Sequence, residues 1–200
     1  MPLNVPNVLT WLRILMIPLV VGVFYVPEVW MSSWHRNLVA TAMFGAAAAT
    51  DWLDGYLARR LNQMSAFGAF LDPVADKLMV AAALIVLVEL ERVNAIVAMV
   101  IIGREIAISA LREWMAKSGQ AKSVAVNVLG KVKTISQMIA IPLLLYHDRL
   151  GPLNPQRLGT WLIYLAALLT LVSMFYYLKL ALAPREPGDR RRLDRRGRGP

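Results

Sequence analysis

Cysteine is absent from this 200-residue chain, and histidine occurs only twice, at His35 and His147. The first absence excludes disulfides and thiol catalysis, although it says little about compartment. Both histidines fall in breaks between apolar segments, on the side of the membrane expected to lie opposite the acidic run described below, so they are read as bystanders. Acidic residues are also scarce, 13 against 22 lysines and arginines, which leaves a net charge of +9. Met1 to Pro6 contains no basic stretch, and the first apolar segment is long and carries Arg13, so no cleavable signal is expected and the segment is read as a retained helix.

What is plentiful is apolar surface. The chain is 58% hydrophobic with a mean hydropathy of +0.51, too oily for an ordinary soluble domain. Reading apolar stretches against breakers gives about six spans, near Val8 to Val26, Leu38 to Leu57, Asp72 to Glu89, Val93 to Ala116, Val128 to Tyr146 and Leu158 to Leu182. The expected fold class is therefore all-α, a polytopic membrane protein with one transmembrane domain over residues 1–183. From Pro184 onward seven arginines stand against three acids. That composition cannot bury a core, and residues 184–200 are read as a disordered basic tail. The tail's nearest acidic surface is lipid headgroups, so no nucleic-acid partner is expected. Basic residues concentrate around Arg59 and Arg60, around Lys117, Lys122 and Lys131, and in the tail, which by the positive-inside rule puts both termini in the cytoplasm. The same rule brings the end of the second span and the start of the third to the cytoplasmic boundary.

The acids that matter lie at that boundary. Asp51-Trp-Leu-Asp54-Gly55-Tyr-Leu-Ala58-Arg59 is followed by Gly68, Asp72 and Asp76. Offsets of three and four residues place each pair of carboxylates on one face of a helix, and acids near a bilayer core are read as functional by default. Four hard oxygen donors without cysteine suit Mg²⁺ or Mn²⁺, and two ions are the natural count. Two such metals can neutralise a diphosphate and stabilise the attacking and leaving oxygens of a phosphoryl transfer. Gly55 and Gly68 would let a nucleotide or diphosphate lie against helix backbone, and Arg59 would add a charged donor for phosphate. Helix capping or pairing with Arg59, Arg60 and Lys77 explains one such acid more readily than four. A divalent-cation transporter is the alternative from another class, but it calls for acids spread through the membrane depth rather than gathered near one face.

The run resembles the signature of the CDP-alcohol phosphatidyltransferase family, Asp-x-x-Asp-Gly-x-x-Ala-Arg, eight residues, then Gly-x-x-x-Asp-x-x-x-Asp, and every fixed position is matched. The resemblance implies a six-helix membrane enzyme, usually a homodimer, that moves a phosphatidyl group from a CDP-linked lipid to an alcohol and releases CMP. It further implies that Asp51, Asp54, Asp72 and Asp76 hold two metals, that Gly55, Ala58, Arg59 and Gly68 line the CDP site, and that Asp76 deprotonates the acceptor alcohol. Ser65 is a weaker candidate for CDP contact. Asn7-Val-Leu-Thr10-Trp-Leu-Arg13, Phe67 to Lys77, Gly103-Arg104-Glu105, Ala110 to Ala116 and Gly130-Lys131-Val-Lys133-Thr134 extend the likeness across most of residues 1–180, towards the bacterial branch that uses sn-glycerol 3-phosphate. The bacterial inner membrane is the location this implies, and a sibling with another acceptor alcohol is the nearest alternative.

The cations agree with an anionic acceptor. Arg104 and Glu105 sit midway along the fourth span, where charge needs a partner or a wet cavity. Arg104, with Arg112, Lys131, Lys133 and Thr134, could surround a phosphate dianion beside the metals, although Arg112, Lys131 and Lys133 equally suit snorkelling to headgroups. Glu105 is read as a structural partner of Arg104. Asn7, Thr10 and Arg13 are balanced between nucleotide contact and local capping or snorkelling. Direct attack on the lipid-side phosphorus is favoured over a phosphoryl-enzyme, because no unencumbered serine, histidine or cysteine accompanies the aspartates.

Overall fold

Six α-helices account for nearly all of the computed structural model, which describes residues 5–61, 66–117 and 128–182. They are α1 (Val5–Val23), α2 (Ser33–Leu61), α3 (Ala66–Glu89), α4 (Ala95–Lys117), α5 (Val128–Tyr146) and α6 (Pro155–Leu182). Among the described residues there is no strand, only an isolated bridge between Leu150 and Leu153. The all-helical expectation therefore holds. The basic tail lies outside the described residues.

Two boundaries differ from the sequence reading in a way that moves the candidate site. Helix α2 continues through Arg59 and Arg60 to Leu61, so these arginines lie on helix rather than in a loop. Helix α3 begins at Ala66, six residues before Asp72, and contains Pro73. A proline inside a helix lacks the N–H that would bond the carbonyl four residues back, which makes Pro73 look like a start signal. The helix nevertheless runs through it and carries Gly68, Asp72 and Asp76 on one continuous rod.

Why the helices associate is read from their buried faces. Val20 of α1, Phe44 of α2, Met79, Val80, Ala83, Leu84 and Leu87 of α3, Ile101 of α4, Ala140, Ile141, Leu144 and Leu145 of α5, and Ile163 of α6 form one core. Helix α1 packs on α2 and α3, α5 on α2 and most extensively on α6, and α4 on α3 and α6. The outside is nearly as apolar as the inside: Leu15, Leu19, Ile85, Ile96, Met99, Ile106, Ile135, Trp161, Leu168 and Phe175 are all exposed. Such continuous apolar exposure marks a surface that meets something other than water. Among the described residues one segment, Pro155–Phe175, is long and apolar enough by length and composition to cross a membrane, and Val8–Val23 and Val132–Tyr146 are shorter apolar helices.

The ends of the helices opposite Asp72 are tied by polar groups. Arg92, between α3 and α4, donates to the carbonyls of Leu144 at 3.1 Å and Leu145 at 2.7 Å and to Asn37 Oδ1 at 2.8 Å. It thus caps the C-terminus of α5, where orphan carbonyls and the helix dipole favour a cation. Asn37 Nδ2 completes the clasp by donating to Asp148 at 2.9 Å. His147 sits just beyond α5 in the left-handed region at φ 60°. Burial lowers its pKa below the ordinary 6.5, Arg92 lowers it further, and Asp148 opposes both.

A Cβ on Gly159 would lie 2.8 Å from Leu144 Cγ and 3.2 Å from the Ala140 carbonyl oxygen, and Leu144 is fully buried. Gly159→Val therefore lowers stability by about 1–3 kcal/mol through overpacking, read as a drop in Tm by circular dichroism in detergent. Because its folded-state pKa is depressed, neutral His147 contributes stability that is fully present above pH 6.5 and is lost as pH falls through the folded value. His147→Asn, which tolerates the left-handed backbone, flattens the fall in Tm on that acid side; an unchanged pH profile would refute the assignment.

Candidate active site

Asp72 and Asp76 project from the same side of α3, one turn apart, and both are partly buried. Asp72 Oδ1 accepts a 2.5 Å hydrogen bond from the hydroxyl of Thr10 on α1. Thr10 and Arg13, three residues apart, are each 1% exposed. Both therefore face inward, which removes Arg13 from the headgroups and puts it in a crevice with Asp76, Phe44, Ala47, Met79 and Met138. Gly68 is buried two turns before Asp76. The sequence makes this local arrangement possible because Thr10, Arg13, Ile17 and Val20 recur at helical spacing along the inner side of α1.

Asp51, Asp54, Gly55, Ala58 and Arg59 all lie on α2, so the helix places Asp51 near Asp54 and Gly55 near Arg59 on successive turns. Their side chains lie outside the described set, as do those of Asn7, Arg112 and Lys131, and Ser65 lies outside the described residues altogether. Among the described residues no three carboxylates or histidines gather into a metal-binding group. The donor chemistry nonetheless fits a hard divalent cation: Asp72 and Asp76 offer oxygen from adjacent turns, and the Thr10 hydrogen bond fixes the Asp72 carboxylate as an outer hydrogen bond fixes a metal ligand.

Beside Asp76 a cavity of about 90 Å³ opens between α3, α4 and α5, lined by Asp76, Lys77, Glu105, Lys133, Thr134 and Gln137 together with Val80 and Met138. Lys133 is 2% exposed and its ammonium bonds the Glu105 carboxylate. An unpaired ammonium could not be held at that depth without a large desolvation penalty. Glu105 thus takes Lys133 as its closest partner, and Arg104, read from the sequence as that partner, stands 3.5 Å away. The Arg104 guanidinium turns towards α6 and donates to Ser173 Oγ at 2.9 Å. Thr134 is exposed at the cavity edge and donates to the Gly130 carbonyl at 2.9 Å.

Three participants escaped the sequence reading: Ser173 as the seat of Arg104, Thr10 as the partner of Asp72 rather than only of nucleotide, and Gln137. The last carried a signal. Gln137 is one helical turn beyond Lys133 in an apolar stretch, and a polar side chain at that depth asks for a partner.

Chemically, the cavity unites a carboxylate able to take a proton, a buried cation able to hold an anion, and a rim of hydroxyl and amide groups. That suits deprotonation of an alcohol that also carries negative charge. The model of the CDP-alcohol phosphatidyltransferase family matches residues 3–172. Proteins named CDP-diacylglycerol–glycerol-3-phosphate 3-phosphatidyltransferase from Shigella flexneri serotype 5b and Escherichia coli K12 are 46% identical over 185 residues, covering 92% of this chain and 97% of theirs. The Salmonella choleraesuis protein of the same name is 46% identical over 183 residues, 90% of this chain and 96% of its own. With its signature complete and a family match running from α1 into α6, the chain belongs to the CDP-alcohol phosphatidyltransferase family.

Proposed function

We infer that this protein transfers the phosphatidyl group of CDP-diacylglycerol to sn-glycerol 3-phosphate, giving phosphatidylglycerol phosphate and CMP. The observation that carries the reading is the shared cavity of Asp76 and Lys133, which sets a proton acceptor beside a buried anion-binding cation. The names of its relatives support the same donor and acceptor.

Lys133, with Thr134 at the rim, binds the acceptor's phosphate, a role shared with Arg112 and Lys131; Arg104 stiffens the wall through Ser173 and Glu105. Asp76 takes the proton from the C1 hydroxyl. The C1 oxygen then bonds to the lipid-side phosphorus, the anhydride bond to the CMP phosphate breaks, and CMP leaves with the electron pair. Gly55, Ala58, Arg59 and Gly68 line the nucleotide side, and Asn7, Thr10, Arg13 and Ser65 border it. Thr10 orients Asp72. Asp51, Asp54, Asp72 and Asp76 would hold Mg²⁺ or Mn²⁺, two ions by the donor count, which when bound offset the charge of the diphosphate. Most of the acceleration comes from positioning and electrostatics, with the base adding about a hundredfold to ten-thousandfold.

The apolar exterior supports placing the six helices in a membrane, the distribution of basic residues supports a cytoplasmic site and cytoplasmic termini, and the family resemblance supports the bacterial inner membrane and a homodimer.

Purified protein in detergent with CDP-diacylglycerol, Mg²⁺ and labelled sn-glycerol 3-phosphate tests the reading. CMP release is expected to require both the acceptor and the metal, to stop on chelation and to resume on Mg²⁺ addition. Asp76→Asn and Asp72→Asn are each expected to lower kcat by at least about a hundredfold, with unchanged Tm showing that the fold survives. Wild-type turnover in either variant would overturn the assigned roles, and equal turnover with serine or inositol phosphate would overturn the acceptor.

A further inference from the structure

Gln137 is a buried polar residue of the cavity to which the reaction above gives no task. It is 4% exposed, and among the described residues its buried side-chain oxygen has no hydrogen-bond partner. A buried amide carbonyl left unpaired is unfavourable and is ordinarily avoided. Here the orphaned oxygen belongs to a side chain that lines the cavity holding Asp76, Lys133 and Thr134.

Position decides which part of a ligand that is. Lys133 and Gln137 are four residues apart on α5, which puts them on one face with a rise of about 6 Å between them. Asp76 closes the cavity from α3. On the reading of the acceptor given above, the phosphate is held at Lys133 and the C1 hydroxyl meets Asp76. The carbon between them, C2, carries a secondary hydroxyl that the other cavity residues leave unassigned.

We propose that Gln137 reads the secondary C2 hydroxyl of the acceptor, accepting its hydrogen bond on the side-chain oxygen, and so selects a glycerol phosphate over a phosphorylated alcohol lacking that group. A site built to bond a substrate hydroxyl rejects the analogue without it, because the protein's own polar group is then left unpaired. Lys133 and Asp76 cannot make this distinction, since both analogues offer a phosphate and a terminal hydroxyl. The proposal rests on the glycerol 3-phosphate reading and adds to it the group that sets selectivity.

The test compares sn-glycerol 3-phosphate with 3-hydroxypropyl phosphate, identical except for the missing C2 hydroxyl, in the full-length protein with CDP-diacylglycerol and Mg²⁺. Wild type is expected to favour the glycerol compound by roughly tenfold to a hundredfold in kcat/KM. Gln137→Leu loses that preference, chiefly by falling on sn-glycerol 3-phosphate while 3-hydroxypropyl phosphate is used as well as before or better. Gln137→Met, close in shape to glutamine, repeats the measurement should the leucine variant not fold. Equal use of the two acceptors by wild type, or an equal fall on both in the variants, overturns the proposal while leaving the reaction itself standing. CMP release by wild type that needs neither acceptor overturns the underlying reading instead.

Discussion

The Lys133 ammonium, 2% exposed and bonded to Glu105, is the contact around which the polar half of this bundle is organised. A lysine at that depth can remain charged only beside a carboxylate, and the carboxylate must come from a neighbouring helix that is fixed in rotation. Helix α4 meets this demand with Glu105, and in doing so turns Arg104, the adjacent residue, towards α6 and Ser173. One ion pair therefore sets the rotation of α4 against both α5 and α6. It also leaves a charged, narrow cavity beside Asp76.

The bundle separates its polar groups into two ends. At one end Asp72, Asp76, Thr10, Arg13, Glu105, Lys133 and Gln137 gather from α1, α3, α4 and α5. At the other, Asn37, Arg92 and Asp148 satisfy one another and the carbonyls that end α5. Between them the core of α3 and α5, from Met79 to Leu87 and from Ala140 to Leu145, contains no charge. The far clasp and the close approach of α6 at Gly159 hold the helices in register, so that small side-chain displacements at the chemical end are resisted by packing some distance away. A site that works through positioning needs that stiffness.

Much of this was legible beforehand for physical reasons. Six apolar segments separated by charged or turn-forming residues read directly as helices, and α5 was bounded at the residues the structure gives. The aspartate run was legible because acids are too unfavourable in an apolar chain to be incidental, and because fixed spacing survives without knowledge of the fold. The starts of α3 and the end of α2 were less so, since Pro73 and the Arg59-Arg60 pair imitate boundaries that the helices pass through.

By itself the sequence determined that helices form, how many there are, and that the spacing from Asp51 to Asp76 belongs to one family's signature. It could not determine which way each helix is turned. In a soluble bundle an amphipathic stripe would disclose that, but here residues facing out, such as Ile106 and Ile135, are as apolar as Ile101 and Ile141 facing in, so periodicity carries little information. Only the packing of all six helices decided that Arg13 and Lys133 point inward rather than to headgroups, that Glu105 serves Lys133, that Thr10 holds Asp72, and that Gln137 lines the cavity. Those are contacts between residues 28 to 69 positions apart, or between a residue and a cavity, and no local rule reaches that far.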